Sequence, residues 1–178
     1  DGATKEISPI VRSIQSESNL VKARMDALSE QSLRFSQNGQ EMAGDMGKAL
    51  DLTQHMEHTI STSALRTFVE LAKLDHLIFK FEIYKVFFGL SEKTADELAH
   101  HTGCRLGKWY YEGEGRRLYS GLPGYREIEP PHKEVHTSGK EALSLFREGK
   151  VHAAVQAVAR MEKASIGVVN GLERMAIS

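Results

Sequence analysis

Cysteine is nearly absent: the 178-residue chain has one, Cys104. An internal disulfide framework is therefore excluded, and a reducing, cytoplasmic setting is expected. Proline is scarce as well, with four in all and none between Pro9 and Pro123, and a stretch that long without proline permits long helices. Aromatics make up 7% of the chain, and 23 Lys plus Arg stand against 24 Asp plus Glu, a formal net charge of -1. Such a balance leaves no electrostatic footprint for nucleic acid or for an anionic membrane. The most apolar stretch, Leu77 to Leu90, is broken by Lys80, Glu82 and Lys85 and falls short of the ~20 apolar residues that span a bilayer. No membrane contact is expected from this segment. The sequence opens at Asp1 with neither an initiator Met nor a signal-like region, which reads as a piece of something longer.

What is present is periodic. With position 7 as a, steps of seven give Ile7, Ile14, Val21, Leu28, Phe35, Met42, Ala49 and Met56, apolar throughout, while the d series Val11, Ser18, Met25, Ser32, Gly39, Met46, Thr53 and Ile60 is mixed. Eight apolar a positions in register predict a coiled-coil strand over residues 1–64. Helical residues 5 to 63 would extend on the order of 90 Å, and a single helix cannot bury its own stripe, so a partner helix or subunit is implied. Small or polar d residues keep the seam loosely packed, which fits either ordinary irregularity or a seam able to shift between two packings.

The register changes near Ala64. Leu65, Val69, Ala72, His76, Phe79, Ile83 and Val86 continue at helical spacing with bulkier residues, and His76 then points into an apolar core. Gly89 is placed to end that helix, and Ser91, Glu92 and Thr94 offer capping for a helix over 92–101. Cys104 to Tyr111 reads as a short amphipathic helix and Gly113 to Glu129 as loop. Pro130 and Pro131 suit the first turn of a further helix running to Arg147, Glu148-Gly149 is a break, and Val151, Val155, Val158, Glu162, Ser165, Val169 and Leu172, with Met161 and Ile166 beside them, trace one face of the last helix. The fold class expected is all-α: a long coiled-coil helix leading into an antiparallel four-helix bundle, residues 65–178, with a short extra helix.

The histidines carry the chemistry. His132 and His136 are at i and i+4, one turn apart on one face, a spacing that suits two ligands of one metal. With His76 facing the core and one cysteine, three segments supply three imidazoles and a thiolate, a preferred donor mixture for tetrahedral zinc. A hydrolytic centre is disfavoured: Glu134 follows His132 by two residues, rotated by about 200°, so the general base is missing, and four protein ligands leave no open position for water. No enzyme is expected. Competing histidines are His100 and His101, whose direction is blurred by Gly103, and His55 and His58, which flank Met56 on a solvated coiled-coil face. Asp75 is either an exposed carboxylate or an acceptor behind a ligand imidazole.

Asp75-His76-Leu-Ile-Phe-Lys80, Cys104-Arg-Leu-Gly-Lys-Trp109 and Pro131-His132-Lys-Glu-Val-His136 resemble the three ligand blocks of the chemoreceptor zinc-binding domain (CZB), and the intervals from His76 to Cys104 and from Cys104 to His132 are both 28 residues, as in that family. The resemblance covers residues 65–175 and implies a four-helix bundle holding one Zn2+ through His76, Cys104, His132 and His136. Ala3-Thr-Lys-Glu-Ile-Ser-Pro-Ile-Val with Ile14-Gln15 resembles the start of the descending helix in the signalling hairpin of methyl-accepting chemotaxis proteins. Together these imply a cytoplasmic, homodimeric sensor module of a bacterial chemoreceptor that reads an oxidant of hypochlorite type at Cys104, or zinc availability, and controls a histidine kinase. Kinase and adaptor would bind at a receptor tip outside these residues. The alternatives are a zinc domain that merely stabilises the receptor dimer, and a zinc-regulated module of another output such as a nucleotide cyclase.

Overall fold

The computed structural model describes residues 2–177, with side chains described over 5–177. Four α-helices are present: α1, Gly2–Phe87; α2, Arg105–Tyr111; α3, Tyr125–Arg147; and α4, Val151–Ala176. A single π-helical turn, Gly115–Tyr119, follows α2, and no strand occurs among the described residues. The expected all-α class stands. Two compact units divide the chain, the first reaching His58 and the second starting at Thr59.

The first unit consists of residues of α1 alone. Ile7, Ile14, Val21, Leu28, Phe35, Met42 and Met56, the a-position series, are each more than half exposed, Phe35 by 81%. A seam of that kind is stable only when another helix covers it.

In the second unit α1 buries the stripe read from sequence: Leu65, Val69, Ala72, His76, Ile83 and Val86 are all 5% exposed or less. Gly89 ends the helix with φ +71°, and the amides of Gly89 and Leu90 donate back to the carbonyls of Val86 and Lys85. Gly149 closes α3 in the same manner at φ +74°. This reciprocal pair of bonds satisfies carbonyls that a helix end otherwise leaves open.

Three local expectations are corrected. Residues 92–101 do not form a helix. The capping chemistry is present, since Thr94 donates to Glu97 through both its amide (2.7 Å) and its hydroxyl (2.9 Å), yet only Leu98 in this stretch is buried. A segment this short falls below the ~12–15 residues an isolated helix needs, and Arg147 draws the carbonyls of Glu92 and Lys93 to itself. Second, α3 begins at Tyr125, so 125–129 is helical and Pro130 and Pro131 lie beyond the first turn. Tyr125 and Ile128 are buried there, Tyr125 stacks on Tyr110 at 4.4 Å, and its hydroxyl donates to the Tyr110 carbonyl at 2.6 Å. Two large side chains, each contributing ~1.5–3 kcal/mol on burial, offset much of a penalty of about 3 kcal/mol at each of the two prolines.

Third, the inward face of α4 is Ala154, Ala157, Met161, Ser165, Val168, Gly171, Leu172 and Met175, while Val151, Val155 and Ile166 are exposed. Close approach decides this. A Cβ on Gly171 would collide with Ile128, and one on Gly167 would press on Pro131, so α3 lies against the small residues of α4. Glu162, on the flank, accepts from Lys80 at 2.9 Å and from the Tyr84 hydroxyl at 2.5 Å, tying α4 to α1.

Gly124 and Gly149 both have positive φ, but only at Gly124 would a Cβ strike a backbone atom, the Gly171 carbonyl oxygen. Gly149→Ala should cost about 1–2 kcal/mol from backbone strain alone, and Gly124→Ala should cost more by about 1–3 kcal/mol of overpacking. Urea unfolding of the two variants measures the difference; equal midpoints would mean that α3 and α4 are not set by this approach.

Candidate metal centre

Each candidate side chain is aimed by its own helix. His76 falls on the buried stripe of α1 between Ala72 and Ile83; His132 and His136 project from one face of α3, 1% and 3% exposed, with ring centroids 4.9 Å apart. Cys104 is the N-cap of α2: its backbone is extended, and its sulfur accepts the Gly107 amide at 3.3 Å while lying 3.4 Å from the His101 carbonyl. Gly107 has to be glycine for this turn to close, because a Cβ would overlap the backbone of His101 and Thr102.

Sγ of Cys104 and one ring nitrogen each from His132 and His136 lie within 4.8 Å of one another, and Cys104 Sγ is 3.2 Å from His132 Nε2. His76 stands beside them, its ring centroid 5.3 Å from that of His132 and 6.0 Å from that of His136. Among the described side chains, His76 Nε2 is the buried nitrogen without a hydrogen-bond partner. The other nitrogen of that ring is bonded to the Ala72 backbone, and His136 Nδ1 lies 2.9 Å from the Ala99 carbonyl. Two backbone carbonyls thus each hold one nitrogen of a ring and leave the other available, as second partners of metal-bound imidazoles commonly do. Phe79 packs on the His136 ring at 4.4 Å. An orphaned imidazole nitrogen beside two imidazoles and a sulfur fits a tetrahedral zinc ion in donor type and number.

Asp75 pairs with Arg105 Nε at 3.0 Å, linking the neighbour of His76 on α1 to the neighbour of Cys104 on α2. Glu134 lies exposed, accepting from Ser138 at 2.6 Å, away from the cluster. His100 bonds Thr102 Oγ1 at 2.9 Å, and the His101 ring comes within 6.2 Å of His132. His55 and His58 belong to the first unit and are exposed. Sequence reasoning missed the carbonyls of Ala72 and Ala99 and the Asp75–Arg105 pair. A backbone acceptor leaves no residue-type signal; an acid next to one ligand and a base next to another was the legible part.

Electrostatics favour ligation. Burial, reinforced for His132 by the neighbouring imidazoles and for His76 by Lys80, lowers the ring pKa values from 6.5 to about 4 for His76, about 2 for His132 and about 4 for His136. All three are neutral at pH 7, the form that binds metal. Burial pushes the Cys104 thiol up, opposed by the amides of Gly107 and Leu106 and aided by Asp75. Without a cation it is a protonated thiol at neutral pH; a divalent metal reverses that preference.

The unfolded chain binds more protons than the folded one wherever pH lies between the ordinary 6.5 and the lowered values of about 4 and below. Stability of the metal-free protein should therefore be flat above about pH 7 and fall as pH drops through about 6 to 5. Thermal melts of chelator-treated protein across that range check the sign, and a melting temperature that rises on acidification would contradict burial of neutral imidazoles.

A family model, the chemoreceptor zinc-binding domain, matches residues 76–143, a span that starts at His76 and contains Cys104, His132 and His136. No curated protein and no solved structure matches the chain. Residues 76–143 are thus similar to the chemoreceptor zinc-binding domain, and their cluster of Cys104, His132 and His136 is able to hold a metal ion such as zinc.

Proposed function

We propose that this chain is a cytoplasmic sensor module of a bacterial chemoreceptor, holding one zinc through His76, Cys104, His132 and His136 and relaying an oxidant or zinc signal to a chemotaxis histidine kinase. The observation that carries this reading is the unpartnered Nε2 of buried His76, whose ring centroid lies 5.3 Å from that of His132 and 6.0 Å from that of His136, beside the Cys104, His132 and His136 cluster. Cys104 would be held as thiolate at neutral pH by a bound zinc. Cys104 is partly exposed and borders a cavity of about 260 Å³ that also touches His76, Leu98, Ala99 and His136. A small oxidant has room to reach it. With hypochlorous acid the sulfur is oxidised by two electrons: an S–O bond forms as the O–Cl bond breaks, chloride leaves, and the hydroxyl proton stays on the new sulfenic acid. No second cysteine exists to convert that product into an internal disulfide.

Output follows from what the ligands join. His76 lies on α1, the helix that also bears the heptad seam, while His132 and His136 lie on α3 and Cys104 caps α2. Weakening one ligand loosens α1 from the other two, and the displacement is borne by the signalling helix. Homodimerisation is the second element of the proposal. The a-position seam is exposed over the first unit, and on α1 in the second unit Leu74, Ile78 and Phe81, with Phe88 and Leu90 just beyond, are also more than half exposed. No described helix is long and apolar enough to cross a membrane.

Elemental analysis of the purified protein should give about one zinc per chain. Stoichiometric hypochlorite should weaken its retention against a chelator in the wild type and leave Cys104→Ser unchanged. Cys104→Ser should keep the fold with zinc affinity reduced by roughly tenfold or more, and His76→Ala should lose affinity and melting temperature together. Zinc that oxidant leaves untouched would point to a stabilising or zinc-level role, and no zinc at all would sink the four-ligand assignment. Sedimentation should give a dimer mass, and Leu28→Lys, which puts a charge in the seam, should shift it toward monomer.

A further inference from the structure

One imidazole beside the cluster is left over by the four-ligand assignment. His101 lies three residues before Cys104, half-buried, with its ring centroid 6.2 Å from that of His132 and 6.1 Å from that of Tyr111. The assigned rings already span 4.9 to 6.0 Å from one another, so His101 is about as far from His132 as His76 is from His136. No hydrogen bond within the described residues holds the His101 ring. Its neighbour His100 is different: that ring is committed to Thr102 Oγ1 at 2.9 Å.

The backbone around His101 is tied to the sulfur and to α2. Its carbonyl oxygen is 3.4 Å from Cys104 Sγ, the amides of Gly103 and Cys104 both donate to the His100 carbonyl, and the chain at 101–102 lies against the bare Cα of Gly107. The turn therefore holds the imidazole at the cluster edge and at the same end as the thiol. A metal that loses a thiolate keeps three nitrogens and an open fourth position, and imidazole is a donor zinc accepts readily. A side-chain rotation together with a shift of the 100–103 turn would carry the ring to that position.

We propose that His101 is a reserve ligand, entering the coordination position of Cys104 when that sulfur is withdrawn, so that the metal is retained through the response rather than released. This rests on the four-ligand reading above and adds a fifth residue to it. The consequence is a two-state site: sulfur bound with the 100–103 turn as described, or imidazole bound with that turn drawn toward α3. Such a switch reverses when two equivalents of a small thiol reduce the sulfenic acid back to the Cys104 thiol, leaving as their disulfide with release of water, without recapturing metal from solution.

The test uses the full chain with zinc, and cobalt as a spectroscopic probe, in the wild type, Cys104→Ala, Cys104→Ala/His101→Ala and Cys104→Ala/His100→Ala. Wild type should show a thiolate-to-cobalt charge-transfer band. Cys104→Ala should lose that band yet retain zinc, and in its long-range proton–nitrogen spectrum the His101 ring nitrogens should shift on zinc addition. Removing His101 from that background should weaken zinc by about tenfold or more, the order of loss expected even for a partner behind a ligand, while removing His100 should change nothing. Equal affinities for Cys104→Ala with and without His101, or an unmoved His101 ring, would overturn the proposal and leave the four-ligand site intact. Absence of the charge-transfer band in the wild type would instead remove the four-ligand reading and this one with it. Should the double variant fail to fold, the ring-nitrogen shift in Cys104→Ala alone decides.

Discussion

A buried polar atom without a partner costs about 1–3 kcal/mol, and His76 Nε2 occupies that position at the junction of α1 and α3. The arrangement around it makes the cost avoidable in one way. Its ring is held by the Ala72 backbone, its neighbours are the imidazoles of His132 and His136, and the sulfur of Cys104 lies 3.2 Å from His132. All of these are electron-pair donors or become so on losing a proton. Protonating the rings is opposed by burial and by the rings themselves, and in the proposed four-ligand site a cation shared between them would satisfy the set. The close contact of Gly139 with Phe79 and Ile83, one turn beyond His136, sets how near α3 comes to α1 and so how near the rings come to one another.

Irregular backbone is part of this site. Had residues 92–101 stayed helical through to 103, the Ala99 carbonyl would have been consumed by the amide four residues on. Instead that amide, on Gly103, turns back to His100, and Ala99 is left to hold His136. The same turn delivers Cys104 to the start of α2, where the Gly107 amide reaches the sulfur. In the proposed site, a ligand at a helix cap and another held by a loop carbonyl would make the metal centre sensitive to small movements of one short segment. The Asp75–Arg105 pair, on residues adjacent to two of the ligands, ties that segment back to α1.

Without a cation burial holds the lone thiol protonated, and a bound zinc would hold it as the nucleophilic thiolate. In the proposed sensor the metal therefore arms the sulfur and also joins the helices that the signal moves. A single cysteine keeps the oxidised product local, since nothing within the chain can trap it as a disulfide.

Much of this was legible from residue order. The α1 stripe from Leu65 to Val86, the inward turn of His76, the pairing of His132 with His136, and the glycines that end α1 and α3 are all fixed by short-range rules: helical period, i to i+4 spacing, and the need for positive φ at a helix end. Tertiary structure decided the rest. Which face of α4 turns inward depended on how closely α3 approaches, which selected alanine and glycine over the larger valines that hydrophobicity alone favours. The start of α3 depended on burial of Tyr125 and Ile128 against partners distant in sequence, and the loss of helix at 92–101 on the reach of Arg147 and the carbonyl His136 required. Residue types declare which atoms can bind a metal; only packing decides which backbone carbonyls orient them and which leftover imidazole comes to rest beside them.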